Sequence, residues 1–262
     1  MTAKTPNQSK IIAFISSSDD LGMATLLSDV AAAISALDKQ VTLVDVARAS
    51  SPGTGRFIPE TDTSNKEKKP SVCEVLPSGI RVLTFDGNSV SEDDDAAGEI
   101  ELLHELSVVA DYLLVDLPFK PTPLARSILS DCDLIIVASS CKFENINETL
   151  NVVKALLFLG IAAEKIAAIL VDPCGILPSA SLADIKPYLE GILGIELAGV
   201  VSFDASVYEL SCLESQPIIY SHPGSQLARD IRQLAQYIMP HDCRKQEPAR
   251  SGAKTPYLEK GY

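Results

Sequence analysis

One recurring pattern constrains the fold more than any other feature. Short apolar runs rich in β-branched residues ("IIAFI", "VTLVD", "IRVLTF", "YLLVD", "LIIVA", "IAAILV", "LAGVV") alternate with longer amphipathic stretches. The runs span residues 11–15, 41–45, 80–85, 112–116, 134–138, 166–171 and 197–201, and they predict seven strands. Helices are expected over residues 22–37, 98–110, 124–130, 145–159, 182–193, 205–214 and 225–238. Strands that are apolar throughout must be covered on both faces. The expected fold is therefore α/β: a doubly wound, mostly parallel sheet with helices on both sides. The chain has 262 residues, 46% of them hydrophobic, which suits one domain over residues 10–240.

Four stretches fall outside the pattern. Residues 1–9 are polar and read as a flexible N-terminus. Residues 47–72 are rich in Pro, Gly, Ser and Lys and read as a long polar loop. "SEDDD" at 91–95 reads as a solvated acidic turn. Residues 241–262 read as a disordered tail.

Charge and composition exclude several roles. The formal net charge is −13, a field that repels nucleic acid and anionic membranes, so neither is an expected partner. No apolar run approaches the roughly 20 residues of a membrane span, and the chain reads as cytoplasmic. Six scattered cysteines form no CxxC pair and read as small buried hydrophobes; no metal site is expected.

In open α/β sheets, ligands sit at the carboxyl ends of strands. The first such end reads "SSSDDLGMATLL", a strand, loop and helix in the shape that holds a nucleotide phosphate. A working loop is G-x-x-x-x-G-K-[ST]: its N–H groups cradle phosphate, its lysine neutralises charge, and its hydroxyl holds Mg²⁺. Here Ser17 stands at the first glycine and Gly22 at the second. Met23 replaces the lysine, Ala24 replaces the Mg²⁺-binding hydroxyl, and Thr25 follows. Asp19 and Asp20 lie where the loop would meet phosphate, and carboxylates beside a triphosphate repel it. Those two aspartates also suit a helix start, where carboxylates cap N–H groups and meet the positive end of the dipole.

Together these stretches resemble the MinD/ParA superfamily of deviant Walker ATPases. "IIAF.SSSDDLGMATL" is similar to its phosphate loop, "DYLLVDLP" to its Walker B strand, and "DCDLIIVAS" and "AAILVD" to the strands that follow. "ELAGVVSFDASVYELSCLESQPIIYSHPGSQLARDIRQLAQYI" resembles its closing segment. The resemblance implies a nucleotide site with a second lysine just after the first glycine, where this chain has Ser18. It implies a D-x-D on the second strand whose second acid orients the attacking water. Here Asp45 matches the first acid, but Ala47 stands at the second. Asp116 matches the Walker B acid that supports Mg²⁺, and its alternative is a strand-end aspartate capping a turn. Asp172 stands where the family's asparagine reads adenine. With both cations lost and Ala47 unable to accept a proton, ATP and Mg²⁺ binding is expected to be weak or absent, and hydrolysis disabled.

Within the superfamily, "LPSGIRVL", "LFLGIAAEKIAAILVD" and "GILPSASLADIKPYL" most resemble the TadZ/CpaE branch of pilus-assembly and localisation proteins. The expected function is a non-catalytic scaffold or positioning adaptor of a cell-envelope machine, with a Tad-like pilus as the machine. Its partners would be proteins of that assembly, met through the 47–72 loop, the helices around the former dimer face and the tail. Recruitment to the inner membrane face or pole would run through them, because the tail lacks a basic amphipathic helix. The family dimerises around ATP, so a homodimer here would be constitutive, or replaced by a heterodimer with an active paralogue. The alternatives are an atypical ATPase of the MinD or flagellar-positioning type, and a tyrosine-kinase-like enzyme of polysaccharide export that uses Tyr257 and Tyr262.

Overall fold

The computed structural model describes residues 9–16, 22–46, 72–75, 79–84, 101, 103, 109–119, 122–140, 143–172, 186–187, 189–191, 194–202, 204–214 and 216–240. The elements in chain order are β1 (Lys10–Ser16), α1 (Met23–Ser35), β2 (Val41–Asp45), β3 (Val72–Val75), β4 (Arg81–Thr84) and β5 (Tyr112–Asp116). They continue with α2 (Pro123–Asp131), β6 (Leu134–Ser140), α3 (Phe143–Phe158), β7 (Ile166–Asp172), β8 (Glu196–Ser202), α4 (Ala205–Glu214), α5 (Ile218–Ser221) and α6 (Gln226–Ile238).

The strands form one sheet in the order β3-β4-β2-β5-β1-β6-β7-β8. All neighbours are parallel except β3 and β4. The seven expected strands are all present, in a sheet covered on both faces. Two layers of core follow from the period-2 alternation of the strands. Ile12 and Phe14 of β1 point to one face, where α1, α5 and α6 cover them. Ala13 and Ile15 point to the other face, towards α2 and α3. All four are fully buried, as the unbroken "IIAFI" run requires.

Local chemistry sets the helix starts. Thr122 caps α2, its Oγ1 accepting the Ala125 N–H at 3.1 Å, with Pro123 pre-set in the first turn. Ser225 caps α6 in the same way through the Ala228 N–H at 3.1 Å. In α6, Leu227, Ala228, Ile231, Leu234, Ala235 and Ile238 recur at helical spacing and are buried. The Met239 carbonyl just beyond α6 accepts from Lys10 Nζ (2.7 Å) and from the Tyr112 hydroxyl (3.2 Å). This ties the end of the helical layer to the starts of β1 and β5.

Three expectations are corrected. The polar loop stops short of Val72, which begins β3, an antiparallel edge strand of four residues with too short a pattern to register as alternation. α5 is one short turn that follows Pro217, and no 3.6-residue period can show in four residues. Ser9, expected in the flexible N-terminus, is buried and its hydroxyl donates to the Ala110 carbonyl. Of the expected helices at 98–110 and 182–193, the described residues are helical except Ala110, which lies just past the first helix end. Most of the 47–72 loop, the acidic turn and the 241–262 tail with Tyr257 and Tyr262 lie outside the described residues.

Gly199 lies in the edge strand β8, and a Cβ built there meets no atom within 4 Å. A strand glycine costs backbone entropy without gaining packing. Gly199→Val is expected to stabilise the protein by roughly 1 kcal/mol, read as a higher urea midpoint with an unchanged m-value.

Candidate functional site

β1 is the strand from which the chain leaves towards β2 on one side and later joins β6 on the other. The crevice beyond its carboxyl end, at the start of α1, is where such a sheet places a ligand. Ser17, Ser18, Asp19 and Asp20 lie outside the described residues, as does Ala47.

Gly22 is the N-cap of α1 at φ 61°, ψ 36°, a left-handed conformation that glycine adopts without strain. Its carbonyl accepts the N–H groups of Thr25 and Leu26, both at 3.1 Å. Met23 is 8% exposed and packs in the core beneath α1, with Ile12 and Phe14 in the same cluster. The side chain at the lysine position is thus part of the hydrophobic core. Ala24 contributes its carbonyl to the Ser28 hydroxyl at 2.9 Å. Thr25 is buried, and its Oγ1 lies 3.2 Å from the hydroxyl of Tyr208 in α4. The first turn of α1 therefore presents one methionine turned inward and one hydroxyl already engaged.

Asp45 and Asp116 end the adjacent strands β2 and β5 and are direct register partners. Alternation puts both on the face that α1 covers, beyond Leu43 and Leu114. Neighbouring strands run about 4.8 Å apart, so two carboxylates face one another closely. Burial and then the Asp45 charge push the Asp116 carboxyl from 3.8 up to about 7. Asp172 is buried at the end of β7. Alternation from Ile169 and Val171, which face α1, places it on the opposite face. The structure brings Gly22, Met23, Ala24, Thr25, Asp45 and Asp116 to one face and leaves Asp172 off it. Among the described residues no group of three or more His, Cys, Asp or Glu is placed to hold a metal ion.

Two residues of this region had no motif to announce them. Tyr208 closes over Thr25 from a helix distant in sequence. Asp29, one turn beyond Thr25 in α1, is 1% exposed, and its Oδ1 accepts the Ile218 N–H at 2.6 Å. A lone acid inside "LLSDVAAA" was the available signal, since a carboxylate on the buried face of a helix needs a partner. Between these groups lies a cavity of about 20 Å³, lined by Gly22, Thr25, Asp29, Tyr208, Ile218 and Leu227 among others. It has room for a single water.

No protein-family model matches the sequence, and no curated protein matches it. Solved structures do match in shape. The ParA family ATPase of Chlorobium tepidum TLS superposes with a TM-score of 0.70 at 15% identity, covering 87% of this chain and 99% of that one. A chain of the MinC:MinD cell division complex of Aquifex aeolicus gives 0.69 at 16%, covering 89% and 97%. The septum site-determining protein MinD of Pyrococcus horikoshii OT3, complexed with Mg-ADP, gives 0.65 at 19%, covering 88% and 96%. No helix among the described residues is long and apolar enough to cross a membrane.

The raised Asp116 pKa makes a prediction with a definite sign. Between about pH 4 and about pH 7 the folded state keeps a proton that the unfolded state has lost. Its contribution to stability is therefore present at low pH and falls as pH rises through that window. Asp116→Asn removes the term. Its stability relative to wild type should rise by a few kcal/mol between about pH 5 and about pH 8, measured by urea unfolding at both. A constant difference across that range would refute the assignment. These strand-end carboxylates, the glycine-capped helix and the strand order belong to a chain that has the MinD/ParA P-loop fold.

Proposed function

We propose that this protein is a non-catalytic member of the MinD/ParA-like group, a pseudo-ATPase that works as a scaffold or positioning adaptor in assembling a cell-envelope machine. The observation that carries this reading is the first turn of α1. Met23 stands at the position of the phosphate-neutralising lysine and is built into the core instead. Around it, the Thr25 hydroxyl lies against that of Tyr208, and two carboxylates are register partners at the ends of adjacent strands. These residues do not fit Mg·ATP: a triphosphate would add some four negative charges to a partly desolvated site that already holds an Asp pair. With Asp19, Asp20 and Ala47 in the sequence, charge and chemistry point the same way.

The resemblance of "LPSGIRVL" and "GILPSASLADIKPYL" to the TadZ/CpaE branch supports a Tad-like pilus as the machine. On this reading the partners are proteins of that assembly, and contact surfaces carry the work. A homodimer, or a heterodimer with an active paralogue, would form without a sandwiched nucleotide. The retained acids Asp45 and Asp116 are the features that favour the other reading, an atypical ATPase.

One pair of measurements separates the two. Calorimetry with Mg·ATP is expected to show no binding tighter than about millimolar, and phosphate release is expected to match the buffer blank. Micromolar binding lost on Gly22→Asp, or turnover abolished by Asp116→Ala, would defeat the scaffold reading.

A further inference from the structure

Asp29 serves neither reading of the nucleotide site, yet it is among the most buried charged residues described. It lies on the inner face of α1 and reaches across to α5, where its Oδ1 accepts the Ile218 N–H at 2.6 Å. The Ile219 N–H also points to it. α5 is a single turn, too short to hold itself in place. Its other hydrogen bonds to the helical layer are longer and less buried: the Tyr220 hydroxyl to the Ala32 carbonyl at 3.3 Å, and Arg232 Nη2 to the Ile219 carbonyl at 3.1 Å. Ile218 and Ile219 pack in the core, and the short, buried hydrogen bond that fastens residues 217–221 to α1 is the one to Asp29.

A buried carboxylate is comfortable when neutral and costly when charged, unless a cation faces it. None does. From α4 the titratable group is Tyr208, whose hydroxyl is spent on Thr25. From α6, Asp230 is spent on the Ser202 N–H (2.9 Å) and the Gln226 amide (2.6 Å). Arg232 reaches past α5 to the Ile219 and Pro223 carbonyls. β7 and β8 contribute Val171 and Val201, and α6 adds Leu227 and Ile231. Burial pushes the Asp29 carboxyl from 3.8 up to about 7, and the two N–H groups only partly oppose it. Beside it, the cavity beneath Gly22 and Thr25 offers a route by which water can reach a charged Asp29.

We propose that Asp29 is a pH-sensitive latch: neutral, it fastens residues 217–221 onto α1, and ionised, it draws water into the cavity and releases that turn. Release removes one wall of the cavity, the Ile218 side, and opens the floor of the crevice below the start of α1. The latch stands whether or not the crevice ever takes a nucleotide. It links the crevice to α4 and α5, where Leu210, Leu213 and Tyr220 are exposed.

Hydrogen exchange on the full chain tests it, at about pH 6 and about pH 8.5, with rates corrected for intrinsic exchange. The amides of residues 218–222 should lose roughly tenfold protection at the higher pH, while Ile231 and Leu234 in α6 keep theirs. Asp29→Asn retains the acceptor oxygen without the charge and should stay protected at both pH values. Equal wild-type protection at the two pH values would overturn the latch. So would a parallel loss in α6, which would mean global unfolding, or a parallel loss in Asp29→Asn. If that variant does not fold, the same comparison on His222→Gln decides: a loss of protection that persists there keeps the latch at Asp29, and one that vanishes belongs to His222 at the end of α5 and overturns it.

Discussion

The structure depends on the complete burial of β1. Ile12, Ala13, Phe14 and Ile15 have no exposed surface, and they alternate between two separate cores. A strand apolar on both faces cannot lie at an edge, so β5 and β6 must pair with it on either side. Helices must then cover both faces: α1, α5 and α6 over one, α2 and α3 over the other. The crevice at its carboxyl end is a by-product of that arrangement. α1 begins there at Gly22, whose left-handed conformation glycine adopts without strain.

Most of this was legible from composition along the chain. Unbroken β-branched runs can only be interior strands of a two-layered sheet, and the seven runs became seven strands. What escaped was short or local. β3 has four residues, and α5 has four, fewer than either period needs to declare itself. Their placement comes from tertiary pairing: β3 from the antiparallel ladder to β4, and α5 from the carboxylate of Asp29.

The candidate site was legible as positions and not as contacts. Strand ends and the helix start could be located, so Gly22, Thr25, Asp45 and Asp116 fall together. Asp172 falls on the other face because one residue of alternation reverses a side chain. No local pattern could show that Met23 turns into the core, or that Tyr208 meets Thr25 across 183 residues of sequence. Both depend on how α4 and α1 pack, which is information carried by the whole fold.

A common electrostatic thread runs through the region. The chain carries a net charge of −13, and it places Asp45 and Asp116 as register partners on the sheet face that α1 covers and Asp29 on the inner face of α1 itself. Carboxylates raise the energy of any negative charge added beside them. Here the helix start is settled by glycine and the core, and burial pushes the carboxyls of Asp29 and Asp116 up to about 7. The same groups that would repel phosphate thus give the region a response to pH.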